Sequence, residues 1–311
     1  MKRLLLLTLG LTMICGAKAQ EEKLEIKPSG RILLDGGLFK ADGQDDKFND
    51  GFAIPDMRVG FSASYGAWKA KVDMGYAYGK VNMKDVFVQY NFDKEAADFL
   101  RAGYFIHQFG LQSATSSSFK ISMEEPASNQ AFNNSRMIGL MYQHTRSKFL
   151  GTLSFFTESD AMKMTSDKLG NQGVGMMTRL VYKPFCEPGK IFHVGLSGAF
   201  ETPRYSSDKE LSHHSYTLST TFPARVAKVV AQEAVIDDAK MLYKFTPELT
   251  AAIGRVGLET QYFYVNVNRK DKPCYKASGA YGTIRALVKG KNYKYANLDG
   301  GIATPDPGSM E

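Results

Sequence analysis

The chain has three cysteines and one tryptophan in 311 residues, and past residue 20 no stretch approaches the roughly 18 apolar residues of a membrane-crossing helix. Each shortage excludes something. Cys15 falls in an N-terminal leader, which leaves Cys186 and Cys274, too few for a disulfide framework. Both read as lying in connections between strands, on opposite rims of the fold when strands are counted. Without a membrane helix, a chain that enters a bilayer must do so as a closed β-barrel, the other way to satisfy backbone groups in lipid. Histidine is sparse as well. His107, His144, His193, His213 and His214 are scattered, and none stands at a metal-ligand spacing with another ligand type. The neighbours His213 and His214 point to opposite faces of any strand and cannot chelate jointly. No metal, cofactor or catalytic site is expected. Ser197 and His193 share a strand face, but a barrel hydrolase needs its Ser and His on the outer wall, and theirs is the inner one.

The N-terminus gives the compartment. Lys2 and Arg3 form a basic start, residues 4–14 an apolar core, and Ala17-Lys18-Ala19 a cleavage site before Gln20. Ile14 before Cys15 does not suit a lipoprotein site. Residues 1–19 read as a signal peptide and residues 20–311 as the exported domain. Losing Lys2, Arg3 and Lys18 leaves 36 basic against 32 acidic residues, a net charge of +4. That is too mild for a nucleic-acid partner and compatible with a modest preference for anions.

What the exported domain does have is alternation. In Trp68-Lys69-Ala70-Lys71-Val72-Asp73-Met74-Gly75, Trp68, Ala70, Val72 and Met74 face one side and Lys69, Lys71 and Asp73 the other. Similar segments recur at residues 30–35, 57–64, 84–90, 99–104, 136–144, 149–157, 173–183, 190–200, 241–253, 257–267 and 279–289, about twelve strands in all. Very short turns alternate with long loops, as in outer-membrane barrels. The segment 224–239, between Pro223 and Asp237-Asp238, reads as a short helix or extended stretch within a long connection that folds into the barrel mouth. The chain closes on turn chemistry at residues 304–311 rather than on an aromatic-ended strand. The expectation is an all-β, antiparallel transmembrane barrel whose last strands lie beyond Glu311. A secreted soluble β-sandwich, with its apolar face buried against a second sheet, is the alternative fold.

The run from Gly30 to His144 resembles the phosphate-selective porin O and P family. The stretches that carry the resemblance are Gly30-Arg31-Ile32 with Asp35, Arg58-Val59-Gly60-Phe61-Ser62, and Trp68 with Lys69 and Lys71. Lys84-Asp85-Val86-Phe87-Val88-Gln89-Tyr90, Gly103-Tyr104-Phe105, Phe109-Gly110-Leu111, Thr115-Ser116-Ser117-Ser118, Met123-Glu124 and Arg136-Met137-Ile138-Gly139 follow in order. Weaker similarity runs through Arg179-Leu180-Val181-Tyr182 and Gly257-Leu258-Glu259 to residue 289. The resemblance implies an outer-membrane barrel of about sixteen strands. It further implies a homotrimer in the outer membrane of a Gram-negative bacterium, and a third external loop folded inward to narrow the pore. Small anions such as phosphate would be the permeating partners, and outer-membrane lipid the surroundings. The chain departs from the family at that loop, where Lys120 is the only cation and Glu124 and Glu125 are present.

A porin needs a wet, charged lumen rather than a catalytic constellation. With the apolar faces outward, Arg58, Lys69, Lys71, Arg101 and Arg179 face the lumen, as do Arg31 and Arg285. The inward acids are Asp35, Asp73, Asp85 and Glu259. Lys120 joins the candidate anion-binding set through its loop. The plainer alternative is that these charges pair with one another and brace the wall. Lys69 and Lys71 stand out because only Asp73 shares their face. Long loops at 41–54 and 158–171 would carry function instead if the barrel were an adhesin or receptor.

Overall fold

The computed structural model describes residues 23–311 except 41–42, 44–46, 96, 116–119, 121, 123, 158–172, 204–213, 225, 227–228, 304 and 307. Residues 1–19, read as a signal peptide, the whole loop 158–171 and His213 therefore lie outside the described residues.

Strands β1(Glu25–Gly37), β2(Gly51–Tyr65), β3(Trp68–Ala77), β4(Lys80–Asn91) and β5(Asp98–Phe105) are followed by helices α1(Gly110–Ala114) and α2(Ala127–Phe132). Then come β6(Met137–Thr145), β7(Phe149–Thr157), β8(Val174–Glu187), β9(Lys190–Glu201), β10(Tyr216–Thr221), β11(Val230–Ile236), β12(Ala239–Ile253), β13(Val256–Arg269) and β14(Tyr275–Ala286). Two short strands, β15(Tyr295–Ala296) and β16(Gly301–Ile302), end the series. β1 to β9 and β12 to β14 form one twelve-stranded antiparallel sheet in chain order, with β1 and β14 as its edges. Its strands coincide with the twelve alternating segments. β10–β11 is a separate hairpin, so within the 224–239 region residues 230–236 form a strand, with Thr221 paired to Val230.

The alternation decides which way the sheet faces. On β3, Trp68, Val72 and Met74 are 39%, 46% and 44% exposed, while Asp73 between them is buried. The same inversion holds along the sheet, with Val59, Phe61, Val88, Leu153, Phe155, Leu180 and Phe245 exposed and Gln89, Thr152, Arg179 and Lys244 buried. Among the described residues the only other sheets are two-stranded, so nothing covers the apolar face. A soluble sandwich would bury it at roughly 25 cal/mol per Å². The sandwich alternative is thereby set aside: this is the inside-out polarity of a lipid-facing wall.

Turns of a few residues at 66–67, 92–97, 146–148, 188–189 and 254–255 form one rim. The strand ends joined through residues 38–50, 106–136, 158–173 and 202–238 lie at the other, together with two short connections, 78–79 and 270–274. Aromatic side chains band the outside of the turn rim. Trp68 and Tyr90 meet edge-on at 5.0 Å, Tyr90 and Phe92 at 5.2 Å, and Phe149 and Tyr182 at 5.1 Å. Such rings suit the membrane interface, where one side is apolar and the other wet. Cys186 sits inside β8, one residue from its end, rather than in a connection; Cys274 does lie in the 270–274 connection. Both are free. No described helix is long and apolar enough to cross a membrane, which leaves strands to do so.

Inside the curve of the sheet lies the connection between β5 and β6. The amide of Gly110 donates to Ser197 Oγ on β9 at 2.9 Å, and Lys244 Nζ on β12 donates to the Phe132 carbonyl at 2.8 Å. Phe132 stacks on Phe263 of β13 at 5.7 Å. The third loop-rim connection is thus folded inward, as the family resemblance implies.

Candidate functional site

A cavity of about 740 Å³ opens between this inward loop and one wall of the sheet. Its wall is built from β2 to β5 by the inward-facing half of each alternation: Arg58, Lys69, Lys71, Asp85, Gln89 and Arg101. The loop adds Lys120, Glu125 and Arg136, and the chain's last segment adds Asp299. Six basic residues therefore face three acidic ones across the same space.

Most of these charges are already answered. Arg58 Nε donates to Asp56 Oδ1 at 2.9 Å, and Arg31 shares the same carboxylate. Lys71 Nζ lies 2.7 Å from Asp73 and 3.5 Å from Asp85, and Arg136 Nε donates to Asp85 at 2.7 Å. Gly60 stands opposite Asp73, where any Cβ would collide with that carboxylate, so glycine is what lets Asp73 lie across the wall to reach Lys71. Lys120 pairs with Glu125, which also accepts from Asn129.

Two cations differ. Lys69 pairs in register with Gln89, and Gln89 with Arg101, so the three lie side by side across β3, β4 and β5. Arg101 Nε and Nη2 donate to Gln89 Oε1 at 2.9 and 2.7 Å. Its guanidinium is stacked 4.2 Å from the Phe87 ring centre and 4.9 Å from that of Phe99. Among the described ion pairs, neither Arg101 nor Lys69 has a carboxylate within 4.0 Å. The pair Lys69 and Lys71 therefore divides: Lys71 is held between two aspartates, and Lys69 is not.

A family model, phosphate-selective porin O and P, matches residues 26–309. The chain belongs to that family. Among solved structures the porin is similar to OmpT, an outer membrane protein of Vibrio cholerae, in its trimer form, at 7% identity and TM-score 0.38 over 93% of this chain and 96% of that one. It is also similar to the outer membrane channel DcaP of Acinetobacter baumannii, at 11% identity and TM-score 0.31 over 86% of this chain and 98% of that one. Among curated proteins no sequence matches.

Arg179 takes a different position from the other five site candidates. It is fully buried and does not border the cavity. Its Nη2 lies 2.6 Å from Glu248 Oε1 and donates to the Gly300 carbonyl at 2.8 Å, while Nη1 donates to the Asp299 carbonyl at 2.8 Å. His193 Nε2 meets the same Glu248 oxygen at 2.8 Å, and the His193 Nδ1 meets Tyr295 Oη at 2.9 Å. These groups bind one another and leave nothing for a solute. Arg285 likewise pairs with Glu259 and Glu311. Inward charges that the alternation did not single out are Asp56, Arg136, Lys183, Lys244 and Glu248. Lys244, Thr246, Glu248 and Thr250 do alternate, but Pro247 interrupts the pattern, and proline inside a strand ordinarily argues against it.

Two loop groups have shifted acidities that matter for the lumen. His107 stacks 4.3 Å from Phe105, and burial pushes its imidazole down to about 4, so it is neutral at physiological pH and adds no charge. Burial pushes the Asp299 carboxyl up, against the opposing pull of Arg179 and Arg101. Among the described residues no group of His, Cys, Asp and Glu could hold a metal ion.

Proposed function

We propose that this outer-membrane porin conducts small anions, phosphate among them, past the row formed by Lys69, Gln89 and Arg101. The observation that supports this reading is the pair of cavity-facing cations without a carboxylate partner, within a lining that holds more basic than acidic groups. An anion at this height gains two cations and the Gln89 side chain without displacing an existing ion pair. Guanidinium supplies paired donors to an oxyanion, and the adjacent ammonium adds a point charge. The remaining lining cations, Arg58, Lys71, Lys120 and Arg136, contribute a screened positive field, with their own acids close by. In this reading residues 1–19 are removed on export, the turn rim is periplasmic, three copies assemble as a homotrimer, and the chain performs no chemistry.

The test is conductance in a planar bilayer, with the reversal potential read in a KCl gradient. Anion preference is expected, together with a current that falls as phosphate is added and occupies the row. A cation-selective reversal potential would remove the anion reading, and a folded protein without conductance would remove the channel.

A further inference from the structure

A second cavity, of about 330 Å³, borders the same inward loop. Asn133, Asn134 and Ser135 line both cavities, so the returning end of that loop is the partition between them. The rest of the wall comes from the loop-rim ends of β7, β8, β9, β12 and β13 and from the separate strand β10. Each of these five sheet strands is paired on both sides, so the wall is complete as it stands. β10 is fixed to α2, because Gln130 Oε1 accepts from the Thr221 amide at 2.8 Å and from its hydroxyl at 2.9 Å. The cavity is therefore held open by bonded elements on every side that lines it.

Its apolar lining includes Phe132, Phe156, Leu218, Leu242 and Val265. The Phe156 ring lies across β8 at Gly175, where any Cβ would overlap it. One ion pair, Lys244 with Glu201 at 3.2 Å, supplies the only charges among the described lining residues. An ammonium has three donors. Lys244 also bonds the Phe132 carbonyl at 2.8 Å and Asn134 Oδ1, so its donors are all engaged. The carboxylate is not filled in the same way. Glu201 Oε1 accepts from Asn134 at 2.9 Å and faces Lys244, while no described hydrogen bond ends on Oε2. Asn133 gives its amide nitrogen to Asn129, and its Oδ1 is buried without a partner.

We infer that this second cavity is a binding site for a neutral monosaccharide. The lining has no net charge, spare acceptors and no spare ammonium donor. An anion would find Lys244 already engaged, and a cation would find Glu201 already neutralised; either would lose its hydration without a counter-charge. A pyranose ring carries no charge to desolvate. Its hydroxyls donate to Glu201 Oε2 and Asn133 Oδ1, and its C–H face lies on Phe132 and Phe156. Apolar walls with a few placed polar groups are the general pattern of small-ligand sites, and this volume is at their lower end, which suits one sugar ring rather than a chain. The site is separate from the anion row, since Lys69, Gln89 and Arg101 do not line it.

The test is saturation-transfer NMR on the full chain in lauryldimethylamine oxide, a detergent without sugar. The probes share one ring: methyl α-D-glucopyranoside is neutral, glucosamine in mildly acidic buffer is a cation, and glucuronate is an anion. Transfer to the ring protons of the neutral glycoside is expected, with both charged probes binding about ten-fold more weakly. Thr217→Trp and Ser215→Trp, which fill the cavity from β10, should each weaken glycoside binding by about ten-fold or more. Their reversal potential in a KCl gradient should stay at the parent's value, which also shows that the variants are folded. No transfer to the neutral glycoside, or tighter binding of either charged probe, would overturn the ligand class. Undiminished binding in a folded tryptophan variant would overturn the location. Ion selectivity measured on the parent decides the channel reading separately, because glycoside binding needs no current.

Discussion

Arg101 and Lys69 stand at one height on the inner wall, two strands apart, with Gln89 between them in register with both. Arg101 is steadied by Gln89 and by the faces of Phe87 and Phe99 rather than by an acid. A guanidinium held this way keeps its charge available to a passing anion.

Removing that charge should therefore matter more than removing a paired one. Arg101→Gln and Lys69→Gln are each expected to lower the anion-to-cation permeability ratio by about five-fold. That corresponds to roughly 1 kcal/mol, the interaction of two unit charges at contact distance in water. Lys71→Gln should shift it less, because Asp73 and Asp85 already answer that lysine. Reversal potentials of the three variants in the same salt gradient make the comparison; equal shifts would show that pairing is irrelevant to selectivity.

Asp299 gives the pore a pH dependence with a definite sign. Its carboxyl is raised by burial, so on acidification it becomes neutral before ordinary aspartates do. Losing that negative charge beside Arg101, which stays protonated, should increase anion preference as pH falls towards the carboxylate range. D299N should show the higher preference already at neutral pH and lack the step. Reversal potentials across a pH series test this, and a wild-type step that persists in D299N would assign it elsewhere.

The Arg179–Glu248 pair should carry stability rather than selectivity. Both side chains are fully buried, so Glu248→Gln leaves a buried guanidinium without its counter-charge, at a cost of about 3–5 kcal/mol. Arg179→Met with Glu248→Leu should cost less than the single change, since no charge is left stranded. Urea midpoints for folding into lipid vesicles check the order. A single variant as stable as the parent would mean that the pair contributes nothing to the fold.

The outward face should reject charge. Val72 lies mid-strand on the apolar side of β3, and Val72→Arg is expected to destabilise the inserted protein by roughly 2–4 kcal/mol, as for arginine near the bilayer midplane. Ser62→Arg, on the polar side of β2, should be tolerated better. Insertion yield into vesicles separates the two, and equal tolerance would contradict a lipid-facing assignment for β3.

How much of this was legible beforehand follows from what each feature depends on. The strand at Trp68 could be read directly, because the pleat alternates side chains and a run of eight residues carries that signal by itself. Lys69, Lys71 and Arg101 were placed on the inner face by the same parity. Their separate fates were not legible, because whether a lysine meets an aspartate depends on register with neighbouring strands: Asp85 reaches Lys71 and Arg136, 14 and 51 residues away in the chain. Arg179 shares the parity of Lys69, yet its partner Glu248 lies 69 residues further on, in a strand whose pattern Pro247 obscures. The hairpin at 293–303 gave no periodic signal, since its strands are two residues each and its grip comes from side chains of β6 and β8 on its carbonyls.

By itself the sequence determined the all-β, antiparallel character of the chain and which half of each strand carries charge. These are properties of neighbouring residues, fixed by a two-residue period. Only the tertiary structure decided which charges remain open to a solute. Burial and ion pairing are set by what the folded sheet, the inward loop and the hairpin bring together. That is why Arg179 ends as a buried brace while Lys69 and Arg101 face the cavity.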